Sequence, residues 1–307
     1  MSIYGKVSAI SEVLNFYKNS GIVPGTCQRG VFMEAYSVLM TVWKNENPVF
    51  FETAVESMVA QTVRTDDFVI VCDGPLTAAL DAVIEKFTQA YPELFHIVRL
   101  PENVGIGKAN SFGLEYCKND LVAKMDADDI AVHDRCQKQL ELFRDNPQLM
   151  VAGGFIEEFD KDPANPFAVR SVPVDNDEIR KFARRRQPFN NMTVMYRRHA
   201  VVAAGGYRNY RRNEDYDLYL RMLHAGNYAQ NLPEILVQAR VNNGAYSRRA
   251  SWATLDGCVR SRWYAYRIGY SSLLDFLICA IGELIIVVSP RKLQHFIYQR
   301  FLRKKSK

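Results

Sequence analysis

The chain has no CxxC pair. Its six cysteines, Cys27, Cys72, Cys117, Cys136, Cys258 and Cys279, are scattered through 307 residues. That spacing offers neither a zinc site nor a dithiol redox motif, and several lie inside apolar patterns, as small buried hydrophobes of a reducing compartment. Residues 1–20 carry Glu12 and no continuous apolar run, so they do not read as a signal peptide. Uninterrupted apolar runs of the ~20 residues that span a bilayer are also missing. Leu273 to Val288 is strongly apolar, but Asp275, Gly282 and Glu283 interrupt it and Pro290 stops it. Acids are absent from residues 291–307, which hold Arg291, Lys292, Arg300, Arg303, Lys304, Lys305 and Lys307. Taking those seven charges from the net +5 leaves −2 on the remainder. A near-neutral body argues against a general nucleic-acid surface, and a basic tail suits anionic lipid.

What the chain does have is 48% hydrophobic residues, enough for a sizeable core. The length suits one large α/β domain, or a domain with an appended segment. Residues 1–33 read as an N-terminal extension, helical by spacing at Val7, Ile10, Val13, Leu14 and Tyr17, with no chemistry assigned. From there apolar strands alternate with helices. Tyr36 to Trp43, Asp67 to Cys72, Phe95 to Leu100, Leu121 to Met125 and Met150 to Ile156 read as strands. Pro48 opens a helix, and further helices carry Leu80, Val83 and Phe87, then Gly107 to Tyr116, then Cys136, Leu140 and Phe143 behind Asp134 as a cap. Met192 to Tyr196 reads as another strand, and Asn213-Glu214-Asp215 opens another helix. This order predicts a mostly parallel sheet with helices on both faces, whose ligands bind beyond the carboxyl ends of the strands.

The cluster Lys124-Met125-Asp126-Ala127-Asp128-Asp129 falls at such an end. Three carboxylates within four residues are costly to bury unpaired and suit a hard divalent cation with phosphate oxygens. A solvated turn with an Asp helix cap is the plain structural alternative. Asp73 ends the second strand and Thr41 to Trp43 the first, so three strand ends converge on one crevice. Asp215 either caps its helix or points into the crevice as a base.

In order, Ser37-Val38-Leu39-Met40-Thr41, Val71-Cys72-Asp73-Gly74, Asn103-Val104-Gly105-Ile106-Gly107-Lys108-Ala109-Asn110, the acidic cluster, and Glu214-Asp215-Tyr216-Asp217-Leu218 resemble family 2 inverting glycosyltransferases of the GT-A fold. The subgroup looks like the bacterial enzymes of O-antigen and capsular polysaccharide synthesis, and the similarity covers about residues 35–240. The resemblance implies a GT-A body over 34–243, with a nucleotide-sugar half to about 130 and an acceptor half beyond. It implies a C-terminal helical, apolar and basic segment over 244–307. On matching positions it implies that Thr41 and Trp43 frame the nucleotide, Asp73 accepts a uracil hydrogen bond, and Lys108 approaches base or phosphate. Asp126 would sit near ribose and diphosphate, Asp128 would bind Mn²⁺ or Mg²⁺ with Asp126 and Asp129 assisting, and Asp215 would be the general base. Glu214, Asn190, Asn191 and Arg186 would meet the acceptor. Cys72 stands where many members carry Asp, and Asn191-Met192 where many carry His-Pro.

The implied reaction is inverting transfer of a hexose, with UDP-glucose or UDP-galactose as the implied donor. The implied acceptor is a lipid-diphosphate-linked saccharide on the cytoplasmic face of the inner membrane, touched peripherally by the C-terminal segment. Nucleic acid is not an expected partner. Two alternatives stay open: a sugar-nucleotide nucleotidyltransferase, against which Ser37 to Asn45 contains no glycine, and a non-catalytic nucleotide-binding partner of a polysaccharide assembly complex. A P-loop fails because Gly105-Ile106-Gly107-Lys108 lacks GxxxxGK spacing and Ala109 stands for the Ser or Thr; no GxGxxG follows the first strand for a dinucleotide.

Overall fold

The computed structural model describes residues 27–28, 31–241, 251–290 and 304–305. Most of the N-terminal extension and most of the basic tail therefore lie outside the described residues. The elements run β1 (Cys27–Gln28), β2 (Val31–Phe32), β3 (Tyr36–Val42), α1 (Pro48–Val59), β4 (Asp67–Cys72), α2 (Ala78–Ala90), β5 (Phe95–Arg99), α3 (Ile106–Tyr116) and β6 (Leu121–Asp126). They continue with β7 (Ile130–Ala131), α4 (Arg135–Asp145), β8 (Leu149–Phe159), β9 (Ala168–Arg170), α5 (Asn176–Ala183), β10 (Met195–Arg197), α6 (Arg198–Ala203) and α7 (Glu214–His224). The last are β11 (Tyr228–Arg240), α8 (Trp252–Arg267), α9 (Leu273–Val288) and β12 (Lys304–Lys305).

Ten strands form one sheet. Its spine runs β12-β9-β8-β10-β6-β3-β4-β5, with β11 beside β8 and β7 beside β11. The β6-β3-β4-β5 half is parallel. Antiparallel β10 joins it to β8, against which β11 runs parallel. The mixed, mostly parallel α/β sheet expected from the sequence is thus present.

Strand periodicity sorts the core into two layers. Val38, Met40 and Val42 of β3 join Phe68 and Ile70 of β4 in one cluster, under α1, α2 and α4 through Phe51, Leu80 and Phe143. Leu39, Val69 and Val71 face the other way, onto Leu114 of α3, Ile179 of α5, Val201 of α6 and Leu218 of α7. Each such side chain, fully buried, contributes about 1.5–3 kcal/mol. Helices on both faces leave the strand ends as the open edge, which is where the acids are.

Three local expectations need correction. Strand β11 has no counterpart in the sequence reading; register shifts between Leu232, Ile235 and Val237 break its alternation around Pro233. The Met192 to Tyr196 strand is instead a 3-10 turn at Asn191–Thr193 followed by β10, because Thr193 Oγ1 turns back to the Asn190 carbonyl at 2.7 Å. Asp134 does precede α4, but its carboxylate pairs with Lys138 at 3.0 Å and bonds no helix amide.

Helices α8 and α9 pack together, with Trp263 edge-on to Phe276 at 5.3 Å. Asp275 fastens α9 to the body. Its carboxylate takes Arg184 at 2.7 Å and Arg185 at 2.5 Å, and closes a capping box with Ser272. On α9, Leu273, Leu274, Leu277, Ile278, Ile281, Leu284, Ile285 and Val288 are all exposed. Among the described residues no helix is long and apolar enough to cross a membrane.

Candidate active site

Lys124 occupies the interior of β6 and is 1% exposed. Its Nζ donates to Asn110 Oδ1 at 2.7 Å and to the Leu39 carbonyl at 3.4 Å. Thr41, which faces Asp126 in the β3–β6 register, donates its hydroxyl to the same Asn110 oxygen at 2.9 Å. One α3 side chain thus ties the ends of two strands together. Burial lowers the Lys124 ammonium to about 8. Burial raises Asp126 to about 6; Lys124 pulls it back, and Asp128 and Asp215 push it up. Asp126 therefore lies within electrostatic reach of Asp128 and also of Asp215, which is 89 residues further along the chain.

Asp129 has a different job from its neighbours. It is 3% exposed and accepts the Arg240 backbone N–H at 2.8 Å, so it clamps the end of β11 to the acidic turn. Burial pushes its carboxyl well above the ordinary value, with Asp128 and Asp126 adding to the rise. Arg240 also donates Nε to the Asp128 carbonyl at 3.3 Å and lies between Phe50 at 3.8 Å and Phe159 at 4.6 Å. Among the described residues no three His, Cys, Asp or Glu side chains gather as a metal cage. A divalent ion here would need oxygens from a second source, such as a diphosphate.

Asp73, just past β4, accepts Val104 N at 2.7 Å, Asn103 Nδ2 at 2.9 Å and Gly105 N at 3.2 Å. It shapes the loop that enters α3 through Gly105, whose φ of 89° favours glycine. Its carboxylate keeps acceptor capacity for a base edge. Lys108 is exposed in the first turn of α3, and Trp43 is 43% exposed beyond β3.

Asn213 takes a left-handed conformation at φ 65° and starts α7. Asp215 Oδ1 accepts the Tyr216 N–H at 2.7 Å. Burial, with Asp215 adding, lifts Glu214 to about 8. Asp217 pairs with Arg221 at 2.8 Å, and Arg221 Nη2 holds the Gly206 carbonyl at 2.6 Å. This fixes the turn before the 207–213 loop. Asn191 Oδ1 accepts the Tyr219 hydroxyl at 2.8 Å. Asn190, 1% exposed, donates to the Gly154 carbonyl at 2.8 Å and the Arg170 carbonyl at 3.2 Å. Arg186 lies over Phe182 at 5.1 Å, while Arg184 and Arg185 are engaged with Asp275, so the basic triplet is not a free phosphate cluster.

With this geometry in view, the sequence profile of glycosyl transferase family 2 matches residues 37–214. The chain belongs to glycosyl transferase family 2. An uncharacterized glycosyltransferase of Haemophilus influenzae is 41% identical over 269 residues, covering 88% of this chain and 99% of the relative. The amylovoran biosynthesis glycosyltransferase AmsE of Erwinia amylovora is 33% identical, covering 86% and 98%. A UDP-Gal:alpha-D-GlcNAc-diphosphoundecaprenol beta-1,3-galactosyltransferase of Escherichia coli is 30% identical, covering 88% and 97%. A Pyrobaculum calidifontis mannosyltransferase, solved with GDP-Man and Mn²⁺, superposes with a TM-score of 0.61 at 14% identity, covering 96% and 88%. The GT-A fold is thereby established, and membership of this glycosyltransferase family sets aside the nucleotidyltransferase alternative.

In this glycosyltransferase the site residues missed from sequence are Asn110, Lys124 and Arg240. A lone charge inside an apolar strand was the available signal for Lys124. Arg240 carried none, since β11 itself was not read.

Proposed function

We propose that this glycosyltransferase moves a hexose from a UDP-sugar to a saccharide on a lipid diphosphate, inverting the anomeric centre, in bacterial polysaccharide assembly. The observation that carries the reading is the placement of Asp126 at the carboxyl end of β6, where the charges of both Asp128 and Asp215 bear on it. Carboxylates whose charges oppose one another suit a divalent cation, so the donor set fits Mn²⁺ or Mg²⁺ on Asp128 and Asp126. Such an ion would offset charge growing on the leaving diphosphate. Asp129, bound to the Arg240 amide, supports the turn from behind.

Asp215 takes the proton of an acceptor hydroxyl as its oxygen attacks the anomeric carbon. The bond to the diphosphate breaks and UDP leaves, so an α-linked donor yields a β-linked product. Asp73, Thr41, Trp43 and Lys108 line the nucleotide side, and Glu214 and Asn191 the acceptor side. Residues 34–243 form the transferase body in this reading. Segment 244–307 rests on the cytoplasmic face of the inner membrane through the exposed apolar row of α9.

The test is turnover of UDP-hexoses with a lipid-diphosphate-linked saccharide, with EDTA and Asp215→Asn as controls. Losing a general base costs about 10²–10⁴-fold. The reading predicts a β-linked product, loss with EDTA, and Asp215→Asn that still binds donor. An α-linked product, or full activity in Asp215→Asn, rules it out.

A further inference from the structure

Beside the loop that leads into α7 lies a groove of about 560 Å³, lined by Tyr210, Arg260, Trp263, Tyr264, Arg267 and Ile268. Five of these belong to α8 and its end, and Tyr210 lies five residues before Asp215. The loop is gripped from both sides. A Cβ on Gly107 of α3 would stand 2.8 Å from the Arg208 carbonyl oxygen, and one on Gly257 of α8 would overlap the Arg212 carbonyl oxygen. Arg208 adds a cation–π contact to Tyr264 at 4.2 Å and an ion pair to Asp217 at 3.4 Å. The groove wall and the base are therefore set by one rigid segment.

The lining chemistry is two guanidinium groups, two phenols and an indole. Guanidinium forks match phosphate oxygens, and ring faces with polar tips suit a ligand that is part apolar and part wet. Arg260 shares its charge with Asp256 at 2.8 Å; among the described residues Arg267 has no ion pair and is exposed. Ile268, which also lines the groove, is five residues before Leu273, where the outward apolar row of α9 begins. Along the chain, the groove's lining thus adjoins Asp215 at Tyr210 and the apolar helix at Ile268. The geometry points to this groove as the seat of the acceptor's diphosphate: Arg267 and Arg260 hold phosphate oxygens, the saccharide reaches back toward Asp215, and the hydrocarbon leaves along α9. This assignment rests on the proposed lipid-diphosphate acceptor.

The experiment titrates the full chain with farnesyl diphosphate and reads tryptophan fluorescence, for wild type, Arg267→Glu and Arg260→Gln/Arg267→Glu. The UDP-induced Tm shift shows that each variant is folded. Farnesyl diphosphate should bind wild type at least tenfold more tightly than Arg267→Glu, with inorganic pyrophosphate competing and farnesol inert. Equal binding by all three proteins overturns the proposal. So does displacement by phosphatidylglycerol vesicles as strong as by pyrophosphate, which would make this a general headgroup site. The two readings fail separately. If wild type glycosylates a lipid-diphosphate acceptor and Arg267→Glu leaves the acceptor KM unchanged, the groove assignment falls and the function stands. If wild type glycosylates none while Arg267→Glu still loses farnesyl diphosphate, the function falls and the diphosphate groove stands.

Discussion

Asn110 ties β3 to β6, because its one side-chain oxygen receives both Lys124 and Thr41. Asn110→Leu would leave a buried ammonium with only the long Leu39 contact. Losing a hydrogen bond to a buried charge costs about 3 kcal/mol or more. The variant should show a Tm several degrees lower and a weakened UDP-induced shift; an unchanged Tm would show that Lys124 finds another acceptor. Glu214 gives a pH test. Its folded value of about 8 exceeds the ordinary 4.5, so the folded protein holds a proton that the unfolded chain releases. Its contribution to stability therefore falls as pH rises from 4.5 to 8. In EDTA, Glu214→Gln should lose less Tm than wild type between pH 5 and pH 8, and parallel curves would mean that Glu214 is ionised in place. Legibility at this scale followed local context. The acids declared themselves by clustering, but the partner of Lys124 is a packing fact, set where α3 crosses β3 and β6.

At the scale of elements, α9 depends on Asp275. Burial opposes its charge, yet Ser272 and the Arg185 and Arg184 guanidinium groups hold its carboxyl well below the ordinary 3.8. That stability is present above pH 3.8 and is lost as pH falls through the depressed folded value. Asp275→Asn should cost roughly 1–3 kcal/mol at pH 7 by differential scanning fluorimetry, with a gap to wild type that narrows below pH 4. The α8–loop contact makes a sharper prediction. Gly257→Ala has no room beside the Arg212 carbonyl, so the loop must shift and carry Asp215 with it. Its kcat should fall at least tenfold while UDP still raises Tm; wild-type kcat would show that α8 yields instead. The strands of the parallel half were readable because they are apolar on both faces. Strand β11 was not, since Pro233 and three register shifts erase its alternation, and the clasp of Arg184 and Arg185 on Asp275 joins segments 90 and 91 residues apart.

For the whole molecule, the consequential surface is the outward side of α9. Sixteen residues at ~1.5 Å each give a rod of roughly 24 Å, short of the ~30 Å hydrocarbon core, which suits lying in the interface rather than spanning it. Replacing Leu274, Ile278, Ile281 and Ile285 by serine should abolish sedimentation with phosphatidylglycerol vesicles and preserve UDP-induced stabilisation. Undiminished sedimentation, or none by the wild type, would overturn the proposed role of α9. Sequence order alone located the sheet and the acids beyond its strand ends, because those follow from periodicity. How the acidic turn is held did not follow, because it depends on β11, which pairs with β8 across the intervening α5, α6 and α7. The Asp129 clasp on the Arg240 amide spans 111 residues. Long-range parallel pairing of this kind is slow to form, since loop closure must precede its contacts. On the ribosome, the acidic turn would thus emerge about a hundred residues ahead of the strand that holds it, leaving the nascent chain with its acids made and Asp129 unclasped until the end of β11 arrives.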